Sequence, residues 1–202
     1  LDRNHPAFDS QQKFQADEWG RGSYPNIRIQ KPPCFKSIRR YYRRFGIDRL
    51  VFHNYLSENG PFDAVLIQTV LTYWYPGVHE VIEDIRNVCP KAKIILGGFY
   101  ATACPHHAKS SGADIVIVGN DFTPLKTMGL DISETFQPPV WHLYPKLDVG
   151  VMTLTQGCPF KCSYCFVPQS GVGFKPRPLE ECLAELELLA SLGVRNIAFY
   201  DD

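Results

Sequence analysis

Lys93-Ile94-Ile95-Leu96-Gly97-Gly98 is a short apolar run closed by two glycines, and its surroundings decide the fold. A continuous apolar stretch of this length suits a strand covered on both faces, as in a parallel sheet. Upstream lies a matching run, Asp63-Ala-Val-Leu-Ile-Gln68. Between the two, Val78, Val81, Ile82 and Ile85 recur at three- and four-residue spacing before Pro90. That spacing predicts an amphipathic helix over 77–88. Downstream, a helix is predicted to open at Pro105 and close at Gly112, followed by a third strand, Asp114-Ile-Val-Ile-Val118, ending in Gly119. Strands alternating with helices place the chain in the α/β class, with a parallel sheet and right-handed crossovers.

Outward from this Rossmann-like module of residues 62–120 the pattern weakens. Residues 1–61 read as an irregular segment with one basic helix over about 35–45, carrying Arg39, Arg40, Arg43 and Arg44. A solvated basic face explains such a run, with a phosphate-contacting patch as its alternative. Residues 121–147 hold Pro124, Pro138, Pro139 and Pro145 and read as a linker. A second module over 148–202 opens with a strand from Val149 to Thr155 and a long loop from Gly157 to Pro178. A helix marked by Leu179, Leu183, Leu186 and Ala190 follows, then a strand from Asn196 to Asp202. The chain begins in loop-like sequence and ends inside a strand, so the expectation is a fragment of a longer protein whose first module is incomplete at its N-terminus.

The 202 residues carry 21 Lys+Arg and 21 Asp+Glu, which argues against bulk attraction to nucleic acid or to an anionic membrane. Neither a signal-peptide core nor an apolar run near the roughly 18–20 residues of a membrane span is visible. A soluble, cytoplasmic protein is expected. Seven cysteines cannot all pair within the chain. Cys34, Cys89, Cys104 and Cys182 are scattered, whereas Cys158, Cys162 and Cys165 lie within eight residues.

Those three thiols stand in Gly157-Cys-Pro-Phe-Lys-Cys-Ser-Tyr-Cys165, a C-x3-C-x2-C spacing on the loop after a predicted parallel strand. Three thiolates are one short of a closed tetrahedral zinc site, which would have to borrow a distant ligand such as His142. An iron–sulfur cluster with three protein thiolates keeps one iron open for an exchangeable ligand. The loop resembles the three-cysteine motif of the radical S-adenosylmethionine (SAM) superfamily, including the aromatic Tyr164 before the last cysteine. The resemblance implies that Cys158, Cys162 and Cys165 hold a 4Fe–4S cluster whose open iron takes SAM. It implies cleavage to a 5′-deoxyadenosyl radical, with an electron donor such as flavodoxin or ferredoxin, in the opening strand–helix–strand of a (β/α) barrel.

Within that frame the acidic end of the last strand is expected near the methionine amino group, Asp202 pointing inward by alternation and Asp201 held in reserve. Residues 62–120 resemble the cobalamin-binding domain that precedes the radical module in one branch of the superfamily. On that resemblance a corrin would lie against the strand ends carrying Thr69, Gly97, Gly98 and Gly119. The Asp-x-His-x-x-Gly loop that supplies a cobalt-ligating histidine in related domains does not occur here, and His79, His106 and His107 do not fit it. Cobalamin-dependent methyl transfer or rearrangement on an unidentified small molecule is the expectation. The alternatives are a methylthiotransferase-like enzyme with a second cluster on Cys34, Cys89 and Cys104, and a sensing module without turnover.

Overall fold

The computed structural model describes residues 26–130, 138–144 and 147–201. In chain order these form β1 (Asn26–Arg28), β2 (Arg43–Phe45), α1 (Arg49–Asn59), β3 (Ala64–Thr69), α2 (Tyr75–Val88), β4 (Lys93–Gly98), α3 (Phe99–Ala103), α4 (Pro105–Lys109), β5 (Ile115–Val116) and α5 (Thr123–Thr127). The second module adds β6 (Val149–Met152), β7 (Thr155–Gln156), β8 (Lys175–Pro176), α6 (Leu179–Ser191) and β9 (Asn196–Phe199).

The first module is built on a parallel sheet of order β3-β4-β5. Its register pairs Val65 with Ile94 and Ile67 with Leu96, and Ile95 with Ile115. The apolar run that opened the sequence reading is the centre of the core: Ile94, Leu96 and Ile85 are fully buried, packed with Val78, Ile82 and Leu56 from α2 and α1. Ile95 faces the other way, toward Ile117 and Leu125. Alternating side chains of one strand thus feed both faces of the sheet.

Several elements differ from the sequence expectation. The basic helix over 35–45 is not formed: Arg43–Phe45 is a strand pairing antiparallel with Asn26–Arg28. The helix comes later, as α1, where the Asp48 side chain accepts a hydrogen bond from the Leu50 N–H at 2.8 Å and caps it. The four arginines are accordingly dispersed. Arg44 ion-pairs with Glu80, Arg43 donates to Asn26 Oδ1 at 2.7 Å, and Arg39 and Arg40 are exposed. The helix expected from Pro105 to Gly112 opens at Pro105 as α4 but ends at Lys109, and a short helix not expected from the sequence, α3, precedes it; Pro105 has no N–H with which to continue α3. The strand expected over 114–118 is regular only at Ile115–Val116, with the Asp114 and Ile117 N–H groups donating to the Ile94 and Leu96 carbonyls at 2.9 Å on either side.

In the second module β6 and β9 are parallel neighbours, Val149 opposite Asn196 and Met152 opposite Phe199. α6 crosses between them, packing Leu189 onto Met152 and Val194. Gly150 makes the approach possible, since a Cβ there would stand 2.9 Å from Leu189. The strand expected over 149–155 breaks after Met152, and β7 pairs antiparallel with β8 instead. Cys182, Glu185 and Leu189 are the buried positions of α6. Leu179 and Leu183, expected on the core stripe, are exposed. The helix carries leucine on two faces, and the buried face is chosen by an ion pair described next.

Candidate functional site

The segment that carries the three clustered cysteines is an 18-residue loop, 157–174, closed at its base by the ladder of Thr155–Gln156 against Lys175–Pro176. Three further contacts fix that base. The Asp201 carboxylate accepts from the Leu154 and Thr155 N–H groups at 2.7 and 2.6 Å and from Thr155 Oγ1 at 2.7 Å. Arg177 Nη1 donates to the Thr153 carbonyl at 2.6 Å and stands 2.9 Å from Glu185 Oε2. The Arg177 N–H donates to the Leu154 carbonyl at 2.9 Å. Glu185 is only 2% exposed, and a carboxylate at that depth requires a charged partner. Arg177 therefore ties the exit of the Cys loop to the core face of α6. Sequence reading missed this pair; the available signal was a glutamate one turn below Leu189 on the buried face.

At the loop's entrance Gly157 adopts φ 73°, and a Cβ would meet the Gly173 carbonyl at 2.8 Å. The two ends of the loop cross at a position that only glycine fits. Cys158 and Cys165 are half-buried and Cys162 is exposed, all as free thiols. The Cys165 N–H donates to the Cys162 carbonyl at 3.0 Å, forming a turn between the second and third thiols. Tyr164 is 90% exposed. Among the described residues no three His, Cys, Asp or Glu side chains converge at metal-binding distance, so the loop presents its thiols on one segment without drawing them together. The donor set nevertheless fits an iron–sulfur cluster: three unpaired thiols share a loop, and none is spent in a disulfide.

Asp201, held in reserve in the sequence reading, is engaged in bracing β7. The hydrogen bond from Thr155 Oγ1, with those from the two backbone N–H groups and the nearby Arg177, keeps its carboxyl below the usual range. Asp202 lies outside the described residues.

The proposed corrin-facing residues do gather at one end of the first sheet, and two of them, Thr69 and Gly98, are taken up by protein contacts. Thr69 is buried, and its Oγ1 accepts from the Tyr100 N–H at 3.3 Å. Gly98, at φ 88°, would place a Cβ 2.4 Å from the Thr69 carbonyl oxygen, and Gly97 would place one 3.8 Å from Ile117. Gly119 would place one 3.5 Å from the Ser170 carbonyl oxygen. Thr102 links the last two strand ends, donating to the Gly98 carbonyl and accepting from the Gly119 N–H, both at 2.9 Å. At Gly98 the space a ring would approach is taken by the Thr69 backbone, whereas Gly97 and Gly119 meet their neighbours only at ordinary contact distance.

Cys89 is buried and Cys104 half-buried against the first core, while Cys34 is exposed. No helix of the described residues is long and apolar enough to cross a membrane.

Comparison with known proteins places this geometry. The radical SAM superfamily model matches residues 152–202, the segment that holds the Cys loop, α6 and β9. The ribosomal protein uS12 methylthiotransferase of Pelobacter propionicus is 31% identical over 119 residues, 57% of this chain and 24% of that protein. Its counterpart in Trichlorobacter lovleyi is 29% identical over 120 residues, with the same shares. A tRNA-2-methylthio-N(6)-dimethylallyladenosine synthase of Pseudothermotoga lettingae is 44% identical over 48 residues, 24% of this chain and 11% of that protein. The chain thus spans about a quarter of the length of the first of these relatives. No solved structure matches. The family match thus falls on the strand, thiol loop and helix just described, and residues 152–202 are similar to the radical SAM superfamily.

Proposed function

We propose that this chain supplies the cluster-binding part of a radical SAM enzyme related to the methylthiotransferases, with Cys158, Cys162 and Cys165 as the three cluster ligands. The observation that carries the reading is the coincidence of the family match over 152–202 with the one loop that groups three free thiols. A 4Fe–4S cluster bound there would supply the electron that cleaves SAM reductively. The chain's own residues hold the loop: Gly157 lets its ends cross, β7–β8 closes its base, and Asp201 and the Arg177–Glu185 pair fix that base to β9 and α6.

The methylthio-group chemistry named for the relatives is favoured over cobalamin-dependent methyl transfer, because the matched proteins are methylthiotransferases and the space at Gly98 is filled by the Thr69 backbone. This proposal includes one cluster on the chain. Cys89 and Cys104 pack as small apolar side chains in the first core, and no thiol group forms around Cys34 among the described residues.

Anaerobic reconstitution tests both points. About four irons per chain are expected, as one such cluster requires. Cys162→Ala should lose them, and the triple change of Cys34, Cys89 and Cys104 to Ser should keep them. Iron retained in Cys162→Ala would remove the ligand assignment. About eight irons in the unmodified chain, halved by the triple change, would establish a second cluster.

A further inference from the structure

The first module's strand ends meet the Cys loop at two points. The rings of Phe99 and Phe166 stand edge to face, centroids 5.2 Å apart at 85°, and Gly119 abuts the Ser170 carbonyl. Phe166 directly follows Cys165. Between Phe166 and Ser170 the chain makes one tight helical turn, with the Gln169 N–H on the Phe166 carbonyl at 2.8 Å and the Ser170 N–H on the Val167 carbonyl at 3.1 Å. In this stretch Cys165, Phe166, Val167 and Ser170 are half-buried, whereas residues 161–164 and 168–169 are exposed.

The ring on the other side is rigidly carried. Phe99 opens α3 directly after Gly98, whose positive φ leaves no room for a side chain. Its neighbours Tyr100 and Ala101 are fully buried, the Tyr100 N–H is bound to Thr69, and Thr102 joins Gly98 to Gly119. Backbone turned by Gly98 and pinned on three sides therefore presents Phe99 to the loop.

We propose that Phe99 is a positioning residue for the third thiol: by holding Phe166 edge-on, the first module fixes the backbone that carries Cys165. The inference rests on the reading of this loop as the cluster site. A paired aromatic ring confers both apolar burial and a defined mutual orientation, which an exposed loop otherwise lacks. It gives the first module a task in the radical site that needs no ligand of its own.

The test is residue-resolved alkylation of the reduced, iron-free whole chain with iodoacetamide, read by peptide mass spectrometry at each cysteine. Phe99→Ala should raise the rate at Cys165 about fivefold or more, on the scale of a lost aromatic pair with its buried area. The rates at buried Cys89 and Cys182 and at exposed Cys34 should not change. Phe99→Tyr, which keeps the ring, should retain the original Cys165 rate. Phe166→Ala should match Phe99→Ala, and the double change should go no further than either alone. An unchanged Cys165 rate in Phe99→Ala overturns the proposal. So does an equal rise at Cys89 and Cys182, which would mark general loosening, or full additivity in the double variant. Failure of the cluster reading would show separately, as absence of iron in the reconstituted unmodified chain with the alkylation contrast intact.

Discussion

Gly98 and Gly97 are adjacent, and their requirements differ. Gly98 sits at φ 88° with the Thr69 backbone where a Cβ would be, whereas a Cβ on Gly97 would find Ile117 at ordinary contact distance, 3.8 Å. Left-handed backbone costs a non-glycine residue about 1 kcal/mol, and the clash with backbone adds to it because neither strand can yield without breaking the β3–β4 ladder. Gly98→Ala should therefore destabilise the chain by more than about 2 kcal/mol and Gly97→Ala by less than about 1 kcal/mol. Urea denaturation of the two variants measures the difference, and equal midpoints would refute the account. At the same scale Asp201 and Glu185 show what a single sequence conceals. Both are acids beside the site, and both are occupied in holding the base of the loop rather than facing its open side.

Between elements, α1 is fastened to α2 by charge. Asp84 has a fully buried side chain, receives hydrogen bonds from Arg49 Nε at 3.1 and 3.2 Å, and lies 2.8 Å from His53 Nε2. Burial alone would raise its carboxyl, but the hydrogen bonds from Arg49 and the nearby His53 outweigh burial and hold it below its ordinary value of 3.8. The stabilisation is therefore complete above the ordinary carboxylate range and is lost as pH falls through the lower folded value. Asp84→Asn should cost about 3 kcal/mol at pH 7, and the gap to the unmodified chain should close below about pH 4. Denaturant midpoints at pH 7, 5 and 3 check this; a gap constant with pH would show that packing, not charge, is lost. Such long-range pairs also explain which elements were legible. α2 and β4 were, because their apolar spacing is local and the core follows it. The β1–β2 hairpin was not, since three-residue strands carry no period and the sequence over 35–45 does not reveal a partner at Asn26–Arg28. The face of α6 was misread because leucines occupy two sides, and only the Arg177–Glu185 pair decides between them.

On the scale of the whole molecule, the three-cysteine loop was legible because its thiols are neighbours in sequence, whereas the wall it rests on, Phe99, is 67 residues from Phe166 and invisible to any local pattern. The two modules are unequal. The first buries residues from α1, α2, β4, α3 and α4 in one cluster, while the core of the second rests on Met152, Leu189 and Val194. Val151 and Phe199 on its strands, and Leu179 and Leu183 on its helix, stay exposed. Local opening free energy follows the apolar contacts that opening breaks, so the modules should not open together. In the 202-residue chain, amides of Ile94–Leu96 in β4 should exchange with deuterium about a hundredfold more slowly than those of Val151 and Ala198 in β6 and β9. Both strands are hydrogen-bonded to parallel neighbours, so the contrast reports core size and not ladder membership. Equal protection across β4, β6 and β9 would show that the contact through Phe99 and Phe166 couples the modules into one cooperative unit. In that case Phe99→Ala should restore the difference, by freeing the smaller core to open on its own.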